Sequence, residues 1–155
     1  MKSVLISIRP KWCELIANGK KTIEVRKTRP KCDVPFKCYI YCTKDFKPNI
    51  KYGYKLWAGR GKVLGEFVCD RIVNIDCDSI APFDKDLDLY IDKQTCVNRK
   101  QFFEYTNGYC CFGWHISRLV IYDRPKSIKE FYHYGVKRGA KVTRPPQSWC
   151  YAEKI

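Results

Sequence analysis

Within its first 28 residues the chain passes from strand to helix to strand, and Gly19 forces the second handover. The apolar run Val4-Leu5-Ile6 predicts a strand over residues 3–8. Pro10 at a first helical turn, with Trp12, Leu15 and Ile16 at helical spacing, predicts an amphipathic helix over 10–18 that Gly19 ends. From Lys21 to Thr28 the pattern alternates, which predicts a strand over 21–28 with Ile23 and Val25 on one face and Thr22, Glu24 and Arg26 on the other. Opposed charges are thereby concentrated where helix gives way to strand. A carboxylate and a guanidinium two residues apart on one strand face either brace each other, which is weak at a surface, or present a polar clamp to a ligand. Both readings stay open on the residues alone.

Further strands are predicted over 36–43, 62–76, 112–122 and 148–153, with Gly65 marking a bulge or a close backbone approach in the second of them. A helix over 98–106 takes Asn98 as its cap and stops before Asn107-Gly108, and Ser127 caps a short helix carrying Ile128, Phe131 and Tyr132. Residues 43–61 read as irregular, 76–92 as turns with short helical pieces, and 135–147 as an exposed loop. Five or six strands with a few short helices, in non-alternating order, favour an α+β fold built as a small closed barrel over a doubly wound sheet. At 155 residues, 45% hydrophobic and 15% aromatic, with no linker, the chain is expected to be one domain, 1–155, with a proper core. The opening residues turn charged by Arg9, too soon for a signal peptide, and no apolar run approaches the roughly 18 residues of a membrane span. The expected location is cytoplasmic, without a membrane partner.

The net charge is +14, and it is segregated: +12 over residues 1–62, −5 over 63–98 and +7 over 99–155. Seven aspartates fall between Asp70 and Asp92, which an evenly decorated surface would not produce. This distribution points to a polyanionic partner. The aromatic residues sharpen it, because single-stranded nucleic acid is held by stacking on aromatic faces flanked by positive charge. Tyr52, Tyr54 and Trp57 are interleaved with Lys51, Lys55, Arg60 and Lys62 between Gly53, Gly59 and Gly61, a pattern suited to a stacking loop. Trp57 is expected in the core and Tyr52 at the ligand. Trp114 and His115 point oppositely on a strand; Trp114 is assigned to the core and His115 to a ligand contact.

Ten cysteines without an export signal read as reduced thiols, with Cys38 and Cys42 flanking Tyr39-Ile40-Tyr41 as small buried hydrophobes. Zinc is the competing reading, but no Cys-x-x-Cys occurs and Cys110-Cys111 are adjacent, so neither a metal nor a cofactor is expected. With His115 and His133 as the only histidines, no Ser-His-Asp triad can be assembled from recognisable motifs.

The spacing Gly19-x-Lys21-x-x-Glu24-x-Arg26 resembles the signature of the ASCH family of PUA-like β-barrels. Ser7-Ile8-Arg9-Pro10-Lys11-Trp12 resembles that family's first strand running into its first helix. Gly113-Trp114-His115-Ile116 with Val120-Ile121-Tyr122 resembles a late barrel strand, and Arg144 to Tyr151 resembles the close of small bacterial or phage members. The resemblance implies a PUA-like small mixed β-barrel with short peripheral helices and an RNA or nucleotide ligand. The implied cleft is lined by Lys21, Glu24 and Arg26, with Arg9 and Lys11 as phosphate contacts. An alternative is a small hydrolase acting on RNA or on an acylated nucleoside, since one similar subfamily deacylates N4-acetylcytidine. There a threonine nucleophile occupies the position of Glu24, and a carboxylate cannot replace an activated hydroxyl without a changed mechanism. If the chain is an enzyme, Lys21, Glu24 and Thr22 are the candidates, with Glu66 as a second carboxylate. A module for an acidic protein partner would leave the motif idle.

Overall fold

A strand whose every residue is buried must have protein on both faces and both edges, and β1 (Ser3–Ile8) is such a strand. The structure, a computed structural model, describes residues 2–75, 92–136 and 139–154. Along the chain β1 is followed by α1 (Pro10–Ala17), β2 (Ile23–Arg26), β3 (Phe36–Cys42), α2 (Tyr54–Ala58) and β4 (Val63–Ile75). Then come α3 (Arg99–Thr106), β5 (Cys111–Lys126), a 3-10 turn at Ile128–Glu130, β6 (Tyr132–His133) and β7 (Trp149–Glu153). The strands form one mixed sheet in the order β2-β5-β4-β3-β1-β7-β6. β1 runs parallel to β3 and antiparallel to β7, and the remaining pairs are antiparallel.

Alternation along β1 divides the apolar interior in two. Val4, Ile6 and Ile8 pack with Cys13 and Ile16 of α1 and with Trp114 of β5, while Leu5 joins Tyr39, Tyr41, Phe131 and Val142 on the opposite face. A third cluster, Val25 with Ile75, Phe102 and Cys111, seats α3 beside β2. α3 starts and stops where its residues demand: Asn98 and Gln101 form a reciprocal capping box, and Asn107 ends it at φ 52°. Ser127 and Glu130 form a second capping box around the 3-10 turn. Cys38 and Cys42 are fully buried, as their apolar surroundings suggested. Burial pushes the thiols of Cys13 and Cys38 well up, and that of Cys69 up to about 12, so these groups are packing atoms at neutral pH.

Several expectations are corrected. The closed barrel does not form: among the described residues the sheet is open, ending at β2 and β6, strands of only four and two residues. Such short edges cannot carry a ladder round to each other; separately, the Arg26 side chain reaches from β2 to the Ser7 carbonyl of β1. β2 is shorter than the alternation over 21–28 implied, because the Thr22 amide bonds the Gln94 carbonyl. Part of the irregular stretch is the helix α2, and Tyr132 belongs to β6, not to the capped turn. Residues 76–91 of the aspartate-rich segment lie outside the described residues. None of the described helices is long and apolar enough to cross a membrane.

Gly65 performs the function its position in a strand suggested. The β4 register shifts beside it, and a Cβ there would sit 2.4 Å from the Val120 carbonyl oxygen. Gly65→Ala is expected to lower stability by about 1–3 kcal/mol, because backbone has to move to admit the methyl group. Urea unfolding checks this: the midpoint should fall with the slope unchanged, and an unaltered midpoint contradicts the close approach.

Candidate functional site

Gly19, at φ 78°, ends α1, and the Lys21 amide returns to the Leu15 carbonyl, so the chain turns back under the helix it has just left. That turn drives the Lys21 side chain inward. Lys21, Glu24 and Arg26 are only 2%, 5% and 8% exposed, which removes the premise of a weak surface pair. Lys21 Nζ donates to the Thr95 carbonyl at 2.6 Å, lies 3.4 Å from Glu24 Oε2 and sits 4.9 Å from the Trp12 ring centre. Arg26 Nη2 donates to Glu24 Oε1 at 2.9 Å and to the Ser7 carbonyl at 2.6 Å, and Nη1 donates to Ser148 Oγ at 3.3 Å. One carboxylate thus stands between two cations, tying β2 to β1, to the approach to β7 and to the segment before α3.

Burial pushes the Lys21 ammonium below its ordinary pKa, and the Glu24 carboxylate opposes this only in part. Glu24 Oε2 and Arg26 Nε are buried without a hydrogen-bond partner. Above the cluster opens a cavity of about 560 Å³, within the range of small-ligand sites. Its floor is Lys21, Glu24 and Arg26; Trp12 and Tyr105 provide aromatic walls; Gln101, Gln147 and Ser148 provide neutral polar groups. Arg9 stands at the rim, its side chain 78% exposed and 3.7 Å from Asp45. An acceptor and donors on a buried floor, between aromatic walls and below an exposed cation, suit a planar polar group attached to an anionic chain.

Not every residue singled out from the sequence comes to this place. Lys11 is exposed beside Trp12, its Nζ 4.7 Å from that ring centre, and does not line the cavity. Thr22 directs its hydroxyl to Gln94 Oε1 at 3.5 Å, away from Lys21 and Glu24. Glu66 lies elsewhere on the sheet, bonded to Lys37 at 2.8 Å and to the Tyr122 hydroxyl. His115 pairs with Asp70 at 2.6 Å, and this bond holds the Asp70 carboxyl below its usual range; neither residue lines the cavity. Tyr52 is buried, with its ring against Phe46 and Trp57, whereas Trp57 is 47% exposed: the assignments of these two aromatics are reversed. Trp114 is fully buried, as assigned. Among the described residues no group of three His, Cys, Asp or Glu is placed to hold a metal ion.

Sequence reasoning missed Trp12, Gln101, Tyr105 and Ser148 as lining residues. Gln101 and Tyr105 carried a usable signal, since positions four apart on a capped helix share one face. Ser148 carried none, because its place depends on β7 pairing with β1.

A mixed seven-stranded sheet with short helices, carrying a buried Lys-Glu-Arg cluster under a polar cavity, defines an α+β class of domain. The ASCH domain family model matches residues 6–105, which contain the whole cluster, and the chain belongs to that family. Its fold is similar to the crystal structure of ASCH from Zymomonas mobilis, at 20% identity and a TM-score of 0.64, covering 98% of this chain and 88% of that one. Structures of a serine-to-alanine and a tyrosine-to-phenylalanine variant of that protein match at 20% and 19% identity. Their TM-scores are 0.60 and 0.59, with 98% and 99% of this chain and 89% and 92% of those chains covered. At such identity the likeness is one of fold. No curated protein matches the chain significantly.

Two substitutions separate the roles within the cluster. Glu24→Gln leaves two buried cations without their counter-charge and is expected to cost about 3–5 kcal/mol. Lys21→Met leaves the neutral Glu24–Arg26 pair and is expected to cost far less. The Lys21 pKa is lowered on folding, so the unfolded chain binds more protons between that value and about 10.4, and the stability of the wild type relative to Lys21→Met should rise with pH through that window. Unfolding of the wild type and both variants across pH checks this; equal losses in the two variants, or a wild-type advantage over Lys21→Met that falls as pH rises, would contradict the buried cluster.

Proposed function

We propose that the chain binds single-stranded RNA, or a modified base within it, by taking one base into the cavity above Lys21, Glu24 and Arg26. The observation that carries this reading is a buried carboxylate, with one oxygen lacking a hydrogen-bond partner, on the floor of a cavity of nucleobase-compatible size. Glu24 Oε2 accepts from an exocyclic amine or a ring N–H, Trp12 and Tyr105 offer faces for stacking, and Arg9 at the rim meets a phosphate. Membership of a family associated with RNA binding supports the same partner. The excess of basic residues in the first 62 positions supports association with a polyanion. A PUA-like relationship, a single domain over residues 1–155 and a cytoplasmic location belong to the same proposal.

A small hydrolase is the second reading, favoured by the lowered pKa of Lys21, which brings an amine towards the neutral form that a general base needs. Against it, Thr22 is turned away and Glu24 occupies the position of the threonine nucleophile. Incubation of the wild type with N4-acetylcytidine or with short RNA should release no product; turnover lost in Lys21→Met would make the enzyme primary.

Titration of a labelled single-stranded RNA at several salt concentrations tests binding. Affinity should fall steeply with salt, because phosphate neutralisation releases counterions. Lys21→Met should remain folded and bind at least about tenfold more weakly, because the Glu24 carboxylate that accepts from the base loses the ammonium that holds it in place. Flat salt dependence, or affinity equal to the wild type in Lys21→Met, would remove the cluster from the binding site.

A further inference from the structure

The segment that leaves the cavity leads directly to a second aromatic surface. Thr43 lines the cavity, and Arg9 at the rim approaches Asp45 two residues later, so residues 43–46 are held at the mouth. The next side chain, Phe46, stacks on Trp57 with ring centres 4.7 Å apart and planes 25° apart. Arg60 covers the pair, its guanidinium carbon 5.5 Å and 5.8 Å from the two ring centres. Tyr52 closes this group from below and is buried, while Trp57 remains 47% exposed and Tyr54, one turn earlier on α2, is 87% exposed. Around them residues 44–62 hold six lysines and arginines against one aspartate, and all six basic side chains are exposed.

An exposed indole is costly to leave in water, and the stacked phenyl, with the guanidinium beside both rings, fixes its plane. A surface selected only for solubility would use the lysines and omit the ring. We propose that the Phe46–Trp57–Arg60 platform is a second contact for a single-stranded RNA whose first base occupies the cavity. A base further along the strand stacks on Trp57, while Arg60 and the neighbouring lysines meet the phosphates. This inference rests on the cavity reading and adds a direction to it: the strand leaves past Arg9, over residues 43–46, towards α2. The occupant is single-stranded RNA, because stacking requires unpaired bases, whereas an acidic protein surface would need only the charge.

The test compares RNA of two lengths, a mixed-sequence trinucleotide and a decanucleotide, on the wild type, Trp57→Ala, Arg60→Glu and Lys21→Met. Trp57→Ala should weaken decanucleotide binding roughly 5- to 150-fold, the range that one stacked base supplies, and leave the trinucleotide unchanged. Arg60→Glu, an exposed substitution that spares the aromatic packing of Tyr52, should act in the same direction, which guards against misfolding in Trp57→Ala. Lys21→Met should weaken both lengths. Decanucleotide affinity in Trp57→Ala within about twofold of the wild type would overturn the platform while leaving the cavity reading intact. Loss in Arg60→Glu alone would overturn stacking and assign the face to a polyanion held by charge, an acidic protein included. Equal binding of both lengths by Lys21→Met and the wild type would overturn the cavity reading, and with it the path of the strand.

Discussion

The fold depends on placing one carboxylate between two cations away from water. Taking three charges out of solvent costs several kcal/mol per ion, and mutual attraction repays this only where the geometry supplies further hydrogen bonds. Here those bonds come from distant parts of the chain: the Ser7 and Thr95 carbonyls and the Ser148 hydroxyl. Through Lys21 and Arg26, Glu24 therefore ties β2 to β1, to the approach to β7 and to the segment before α3. The Arg26 side chain also links β2, at the edge of the sheet, to β1, whose two edges are already paired to β3 and β7.

The same arrangement leaves chemistry unused by folding. A brace evolved for stability alone would satisfy every atom, or would be replaced by apolar packing of similar volume, which is often as stable or more so. Glu24 Oε2, although ion-paired with Lys21, and Arg26 Nε remain without hydrogen-bond partners beneath a cavity open to solvent. A brace in the fold and the ligand clamp proposed above are therefore compatible. One set of residues ties the fold together with some of its atoms and faces the cavity with others.

Much of the local structure was legible in the sequence, because local rules govern it. Gly19 ends a helix, Asn98 and Ser127 cap their turns, and Gly65 marks a close approach, each through backbone geometry that neighbours in sequence decide. The Gly-x-Lys-x-x-Glu-x-Arg spacing identified the cluster for the same reason, since its members lie within one turn and one short strand. What was not legible depends on pairing at long range. Whether the sheet closes is decided by the length of its edge strands, and whether Tyr52 or Trp57 faces water is decided by how Phe46 docks on α2. His115 alternates with Trp114 as expected, yet the pairing of β4 with β5 carries it to Asp70 and away from the cavity.

The central claim is that a base is held over the Glu24 carboxylate. A crystal structure of the protein with a short single-stranded RNA tests it most directly. The expected result is a base in the cavity between Trp12 and Tyr105, with a ring N–H or an amine donating to Glu24 Oε2. An ordered RNA lying on another face, with the cavity empty and Glu24 Oε2 still without a hydrogen-bond partner, would contradict the claim.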